Sequence, residues 1–171
     1  METDGLHKAR ELLRDVTPLS FDCGKRCGSA CCRGGEGDGM LLFPDEERYY
    51  TGCSFAKIVD DRLGKRLVCG GFCQREQRPL ACRIFPLVIR AGGQEESRAK
   101  ANIIMDVRAW PVCPLMQSGR KGLKAEFVAA VRKAAEYLIL EDKHRVFLAL
   151  LATELAAYEQ MKQSFLAGRD Y

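Results

Sequence analysis

Nine cysteines are spread unevenly through 171 residues. Cys23, Cys27, Cys31 and Cys32 fall within ten residues, and Cys69, Cys73 and Cys82 fall within fourteen. Cys53 and Cys113 stand alone, and the last 58 residues hold no cysteine. Thiols kept only as small buried hydrophobes would scatter through the apolar positions. Grouped thiols point instead to ligands or to a disulfide framework. The opening Met1-Glu2-Thr3-Asp4 has neither the basic nor the apolar stretch of a secretory signal. We therefore expect a cytoplasmic, reducing setting, where disulfides rarely persist. A metal site is the resulting expectation, with a disulfide framework and structural thiols as the alternatives.

Composition removes other classes. The longest strongly apolar run, residues 146–152, is seven residues long, whereas a membrane helix needs about 20. The net charge of +4 comes from intermixed acids and bases, with no basic stripe to follow a nucleic-acid backbone. With 47% hydrophobic residues, the chain reads as a single domain over residues 1–171 with a real core.

The expected fold class is α+β, mostly α: an irregular cysteine-rich region with a small antiparallel strand pair, covered by N-terminal and C-terminal helices. Leu6, Ala9, Leu12, Leu13 and Val16 repeat at helical spacing, which predicts a helix within residues 1–17, capped by Thr3 or Asp4 and stopped by Pro18. The loop Gly34-Gly35-Glu36-Gly37-Asp38-Gly39 cannot be regular structure. Residues 44–50 read as a short helix, with Asp45, Glu46 and Glu47 near its positive end. Residues 53–85 read as irregular. Residues 86–91 and 101–107 are β-branched runs around Gly92-Gly93, most simply an antiparallel pair. Over 123–167 two stripes predict a helical hairpin jointed near Leu140-Glu141-Asp142, with Asp142 as the second cap. The first stripe is Leu123, Phe127, Val131, Ala134 and Leu138. The second is Phe147, Leu150, Leu151, Glu154, Leu155, Tyr158, Met161 and Phe165, less clean because of Glu154. A hairpin covering the metal region and a helix for a protein partner are both open readings.

Thiolate is the ligand form, and a free thiol near pKa 8.5 is mostly protonated at neutral pH. Lys25, Arg26, Arg33 and Arg83 flank the cysteines, and their charge would offset that of a thiolate set. Zinc knuckles commonly carry Cys-x2-Cys pairs, yet here the spacers are Cys23-x3-Cys27-x3-Cys31-Cys32 and Cys69-x3-Cys73. The wider spacing suits an iron–sulfur cube, whose irons sit at separate corners. Soft all-sulfur ligation fits zinc as well. Both histidines, His7 and His144, fall in predicted helices away from the cysteines and read as surface residues. Cys-x3-Cys followed by Gly34-Gly35-Glu36 is similar to radical-SAM enzymes. Their second spacer is one residue shorter, and their barrel needs about 200 residues or more.

The run Cys23-x3-Cys27-x3-Cys31-Cys32, then Leu42-Phe43-Pro44-Asp45, then Cys73-x4-Arg78-Pro79-x2-Cys82-Arg83-x-Phe85-Pro86, then Cys113-Pro114 resembles the YkgJ-type cysteine-cluster family, a zinc- or iron-chelating domain. The likeness covers residues 20–115. It implies Cys23, Cys27, Cys31, Cys32, Cys73, Cys82 and Cys113 as metal ligands. Cys69 and Cys53 compete for one further place, and we take Cys69, because Gly70 and Gly71 let the backbone fold tightly around it. The family's opening usually has two-residue spacers, and an aromatic commonly stands where Arg75 is here.

These readings give a cytoplasmic iron–sulfur protein, its cofactor a [4Fe–4S] cluster, acting in electron transfer or as an accessory redox module beside a redox partner or target enzyme. Eight thiols would also serve two four-ligand sites. The alternatives are a structural zinc module that binds a protein, and a metal module for methyl transfer, the role implied by the related pattern in flagellin lysine methylases. No loop for S-adenosylmethionine is visible. A Lewis-acid enzyme would need a general base, for which Asp45 and Glu36 are the nearby carboxylates. Neither membrane nor nucleic acid is expected as a partner.

Overall fold

A computed structural model describes residues 4–32, 39–71, 73–91 and 101–168. Helix α1 (Gly5–Leu12) starts where the Asp4 carboxylate accepts the His7 N–H at 2.8 Å, the N-cap expected of Asp. It buries Leu6 and Ala9, and Leu13 continues the stripe. The helix ends well before Pro18, so the 1–17 span is too long. Thr3 lies outside the described residues.

The strand pair forms as read. β4 (Leu87–Ala91) and β5 (Ala101–Met105) run antiparallel, with Leu87 opposite Met105. Helices α4 (Ala125–Leu138) and α5 (Asp142–Ala167) make the hairpin. α4 lies along β5 and α1, and α5 lies along β4. One apolar core joins them through Leu6, Leu80, Ile89, Phe127, Leu138 and Leu148. The α1–α4 approach is tight at Gly5, where an added Cβ would sit 2.3 Å from the Tyr137 carbonyl oxygen. The Gly5 N–H donates to Glu141 Oε1 at 2.7 Å. Glu141, not Asp142, holds the cap position of α5.

The cysteine-rich stretch is more regular than its composition suggests. β2 (Ala56–Asp61) and β3 (Gly64–Cys69) form a hairpin, and β1 (Met40–Leu41) adds to its free edge in the order β1-β3-β2. Helix α3 (Leu80–Ile84) follows. Residues 53–85 are therefore not irregular. The hairpin was hidden because Lys57, Asp60, Asp61, Lys65 and Arg66 break its apolar pattern, while ion pairs between its strands (Lys65–Asp60, Arg66–Asp61) hold it. Residues 44–50 form a 3₁₀ turn that begins only at Glu46, because Asp45 sits at φ 67°. Glu46 is fully buried: its carboxylate accepts from Arg10 and from the backbone N–H groups of Leu80 (2.6 Å) and Phe43 (3.1 Å). His144 is likewise buried at 0% exposure rather than on the surface, edge-on to Phe43.

The first half of α5 buries Phe147, Leu148, Leu151 and Leu155. Beyond it, Tyr158, Met161 and Phe165 are exposed, so the second stripe covers the core only as far as Leu155. The glycine loop with Arg33 and Glu36, and the Gly92-Gly93 turn, lie outside the described residues.

Candidate metal centre

The cysteine segments owe their shape to backbone, not to apolar burial. Cys23 precedes the single turn of α2 (Gly24–Cys27), which Cys27 ends. An i, i+4 pair lies on one side of a helical turn, so both sulfurs face the same cavity. Gly28 and Ser29 then both adopt positive φ (59° and 54°) and turn the chain toward Cys31 and Cys32. That double left-handed step is the physical use of the three-residue spacer. Cys69 ends β3, Cys73 precedes a 3₁₀ turn at Arg75–Gln77, and Cys82 sits in α3. Cys113 caps another 3₁₀ turn, Pro114–Met116.

These segments meet around two adjoining cavities. The smaller, about 20 Å³, is lined by Cys23, Cys27, Cys31 and Cys113 together with Arg26 and Phe85. It has room for about one water-sized object. The larger, about 390 Å³, is lined by Cys32, Cys69, Cys73 and Cys82, with Cys31 at its edge. The two cysteine groups, distant in sequence, thus come together in space. Cys53 lines neither cavity and packs beside the small apolar cluster of Leu42, Tyr50 and Leu67. Among the described residues, no three His, Cys, Asp or Glu side chains converge on one point as ligands of a single ion.

Burial pushes the thiols of Cys23, Cys73, Cys82 and Cys113 up from their ordinary value. The Cys31 and Cys32 sulfurs hydrogen-bond to each other at 3.8 Å. The hydrogen bond to Cys32 pushes Cys31 up, and the same bond brings Cys32 down to about 6. Most of these sulfurs therefore remain protonated until a cation replaces the proton, the usual behaviour of a thiol that becomes a metal ligand.

The basic residues divide into distinct roles. Arg83, expected to offset thiolate charge, is buried and donates to the carbonyls of Arg10 (2.7 Å), Arg78 (2.8 Å) and Glu76 (2.7 Å). It clamps α1 to α3. Arg75 ties the Cys73 segment to the end of α1 through the carbonyls of Arg14 (2.9 Å) and Val16. Arg26 and Lys25 are exposed. Arg78, which the spacing argument passed over, lines the larger cavity together with Cys73. Its place in the Arg78-Pro79-x2-Cys82 run was the available signal.

The larger cavity also carries carboxylates that sequence reasoning missed. Asp61, Asp106 and Glu154 line it, paired with Arg66 (2.6 Å), Arg108 (2.7 Å) and Arg62 respectively. Glu154 interrupts the apolar stripe of α5 because it faces this polar wall. Asp45 is not among the carboxylates of that wall and pairs with Lys143 at 2.7 Å. Neither histidine lines either cavity.

No family model, curated protein or solved structure matches this chain.

Proposed function

We propose that this protein binds an iron–sulfur cluster, of the [4Fe–4S] class, in the larger cavity through Cys32, Cys69, Cys73 and Cys82, and serves electron transfer or an accessory redox role. The supporting observation is that four cysteines from separate segments line one cavity of about 390 Å³. A cluster takes one sulfur at each of several irons, so its ligands need not converge on a point. A single zinc, with Zn–S near 2.3 Å, needs four sulfurs packed about 3.8 Å apart. Soft sulfur donors with no histidine among them suit iron–sulfur chemistry. The resemblance to the YkgJ-type family points the same way.

When bound, such a cluster supplies one-electron chemistry. The chain's own part is to give up the thiol protons, to shield the sulfurs beneath β3, α3 and α5, and to place cationic groups beside them. No described helix is long and apolar enough to cross a membrane. A cytoplasmic setting and a protein redox partner belong to the proposal. Structural zinc is the second reading, favoured by the ion-sized cavity among Cys23, Cys27, Cys31 and Cys113. Anaerobic purification followed by iron, sulfide and zinc analysis tests both. Iron and sulfide in near-equal amounts with visible absorption support the cluster, and a colourless protein with stoichiometric zinc supports the alternative.

A further inference from the structure

Among the described residues, Arg78 is the arginine of the larger cavity whose charge has no carboxylate in an ion pair with it. The other two arginines on that wall are neutralised: Arg66 by Asp61 at 2.6 Å and Arg108 by Asp106 at 2.7 Å. Arg75 and Arg83, its neighbours in sequence, donate to backbone carbonyls. The Arg78 Nε is buried and has no hydrogen-bond partner among the described residues. An unpartnered buried donor is costly, the more so on a charged group, so its retention calls for an acceptor. The Cys32 and Cys73 side chains line the cavity with it, and their charge acts on the guanidinium against the effect of burial. Its backbone is fixed on both sides: the Arg78 N–H donates to Arg75 O at 3.1 Å, and Arg78 O accepts from Arg83 Nε at 2.8 Å.

We propose that Arg78 is a positioning residue for the cluster, donating hydrogen bonds to its ligand sulfurs and offsetting their charge. The inference rests on the cluster reading above. Four thiolates around an oxidised four-iron cluster leave a net charge of −2, and one added electron makes it −3. A fixed guanidinium favours the more negative state, so it raises the reduction potential, which net charge and hydrogen bonds to sulfur set. Lysine at this position keeps the charge but not the planar fork of donors.

The test is potentiometric titration, followed by EPR of the reduced cluster, on the anaerobically prepared full chain and its variants. Arg78→Gln is expected to lower the reduced-to-oxidised ratio at fixed potential about tenfold, a shift of about 59 mV for one electron. Arg78→Lys should fall between that variant and the unaltered protein. Lys133→Gln, an exposed charge on α4, controls for loss of a remote cation and should change nothing. An Arg78→Gln protein that carries the cluster at the unaltered potential overturns the inference. If that variant assembles no cluster, the unaltered protein labelled with ¹⁵N-arginine decides. A guanidinium nitrogen coupling in the pulsed EPR spectrum, lost in Arg78→Lys, supports the role; its absence overturns it. Failure of the unaltered protein to hold iron and sulfide would instead overturn the cluster reading itself.

Discussion

The Cys31 and Cys32 sulfurs lie 3.8 Å apart, and both residues border the larger cavity. Cys31 touches both cavities, whereas Cys32 lines only the larger. Cys31 is therefore the one of the pair placed to serve the smaller quartet. On the proposed assignment, Cys32→Ser should lose iron and sulfide after anaerobic reconstitution, and Cys31→Ser should keep them. Equal loss in both variants would mean one shared site instead of two quartets.

Cys53 provides the complementary case. Its thiol sits beside the Tyr49 carbonyl, at 4.0 Å, and it packs against the Leu42–Tyr50–Leu67 cluster. Cys53→Ser should leave metal content intact, with stability reduced by about 1 kcal/mol or less for a partly buried methylene-sized change. Cys82→Ser should abolish cluster binding. Parallel metal loss in the two variants would make Cys53 a ligand.

Residues 20–32 include no fully buried side chain. Ordering backbone costs about 1–2 kcal/mol per residue, and apolar burial does not offset that here. Metal ligation can, at roughly 10 kcal/mol or more for a structural site. The core of α1, β4, β5, α4 and α5 stands apart from this segment. Verified metal removal should therefore abolish amide-exchange protection over 21–32 and 69–78 while leaving most of the far-UV helical signal. Unchanged protection at those amides would sink the coupling of metal to folding.

What could be read in the sequence follows from how locally each element is determined. The Leu6–Ala9–Leu13 stripe, the β-branched runs around Ile89 and Ile103, and the Phe127–Val131–Ala134–Leu138 face each carry a pattern longer than one turn or one strand pair, and each forms. The β2–β3 hairpin carries charges on both strands that pair with each other, and no periodicity announces that. The grouping of cysteines by segment was visible, but their division between cavities was not. It depends on positive φ at Gly28 and Ser29, and on where α3 places Cys82. Arg83, next to Cys82, is marked in the sequence for charge compensation, and Arg78 is not. Only the burial of one among carbonyls and the exposure of the other to sulfur separates them.

Glu46 is the buried anion that joins α1, α3 and the turn after β1. Burial pushes its carboxyl up, and Arg10 and the two backbone N–H donors oppose that shift. Tyr50 completes the group through its hydroxyl, 3.1 Å from Arg10 Nη1. Removing one member leaves a buried, uncompensated charge on the other, a loss of about 3–5 kcal/mol. Glu46→Ala should lower the unfolding free energy measured in urea by that amount. The double variant Glu46→Ala/Arg10→Met should recover part of it, because the orphaned guanidinium is gone. No recovery would show that packing, not charge, carries the loss.

His144 makes the protein acid-sensitive. It is at 0% exposure, and neither ring nitrogen has a hydrogen-bond partner among the described residues. Burial lowers its pKa, and Lys143 acts in the same direction, while Glu141 (3.8 Å from Nε2), Asp45 and Asp4 oppose it. The folded value thus lies below the unfolded value of about 6.5. Above that pH both states are neutral and the group contributes nothing to the pH dependence. As pH falls below it, the unfolded chain binds a proton that the folded chain resists, so stability is lost, by up to about 1.4 kcal/mol per pH unit until the folded group also titrates. Comparing urea unfolding of the unaltered protein with His144→Leu between pH 5 and 8 isolates this contribution, since the cysteines titrate equally in both. The stability difference should be flat above about pH 6.5 and should swing toward the variant below it. A constant difference across the range would mean that His144 takes up its proton as readily folded as unfolded.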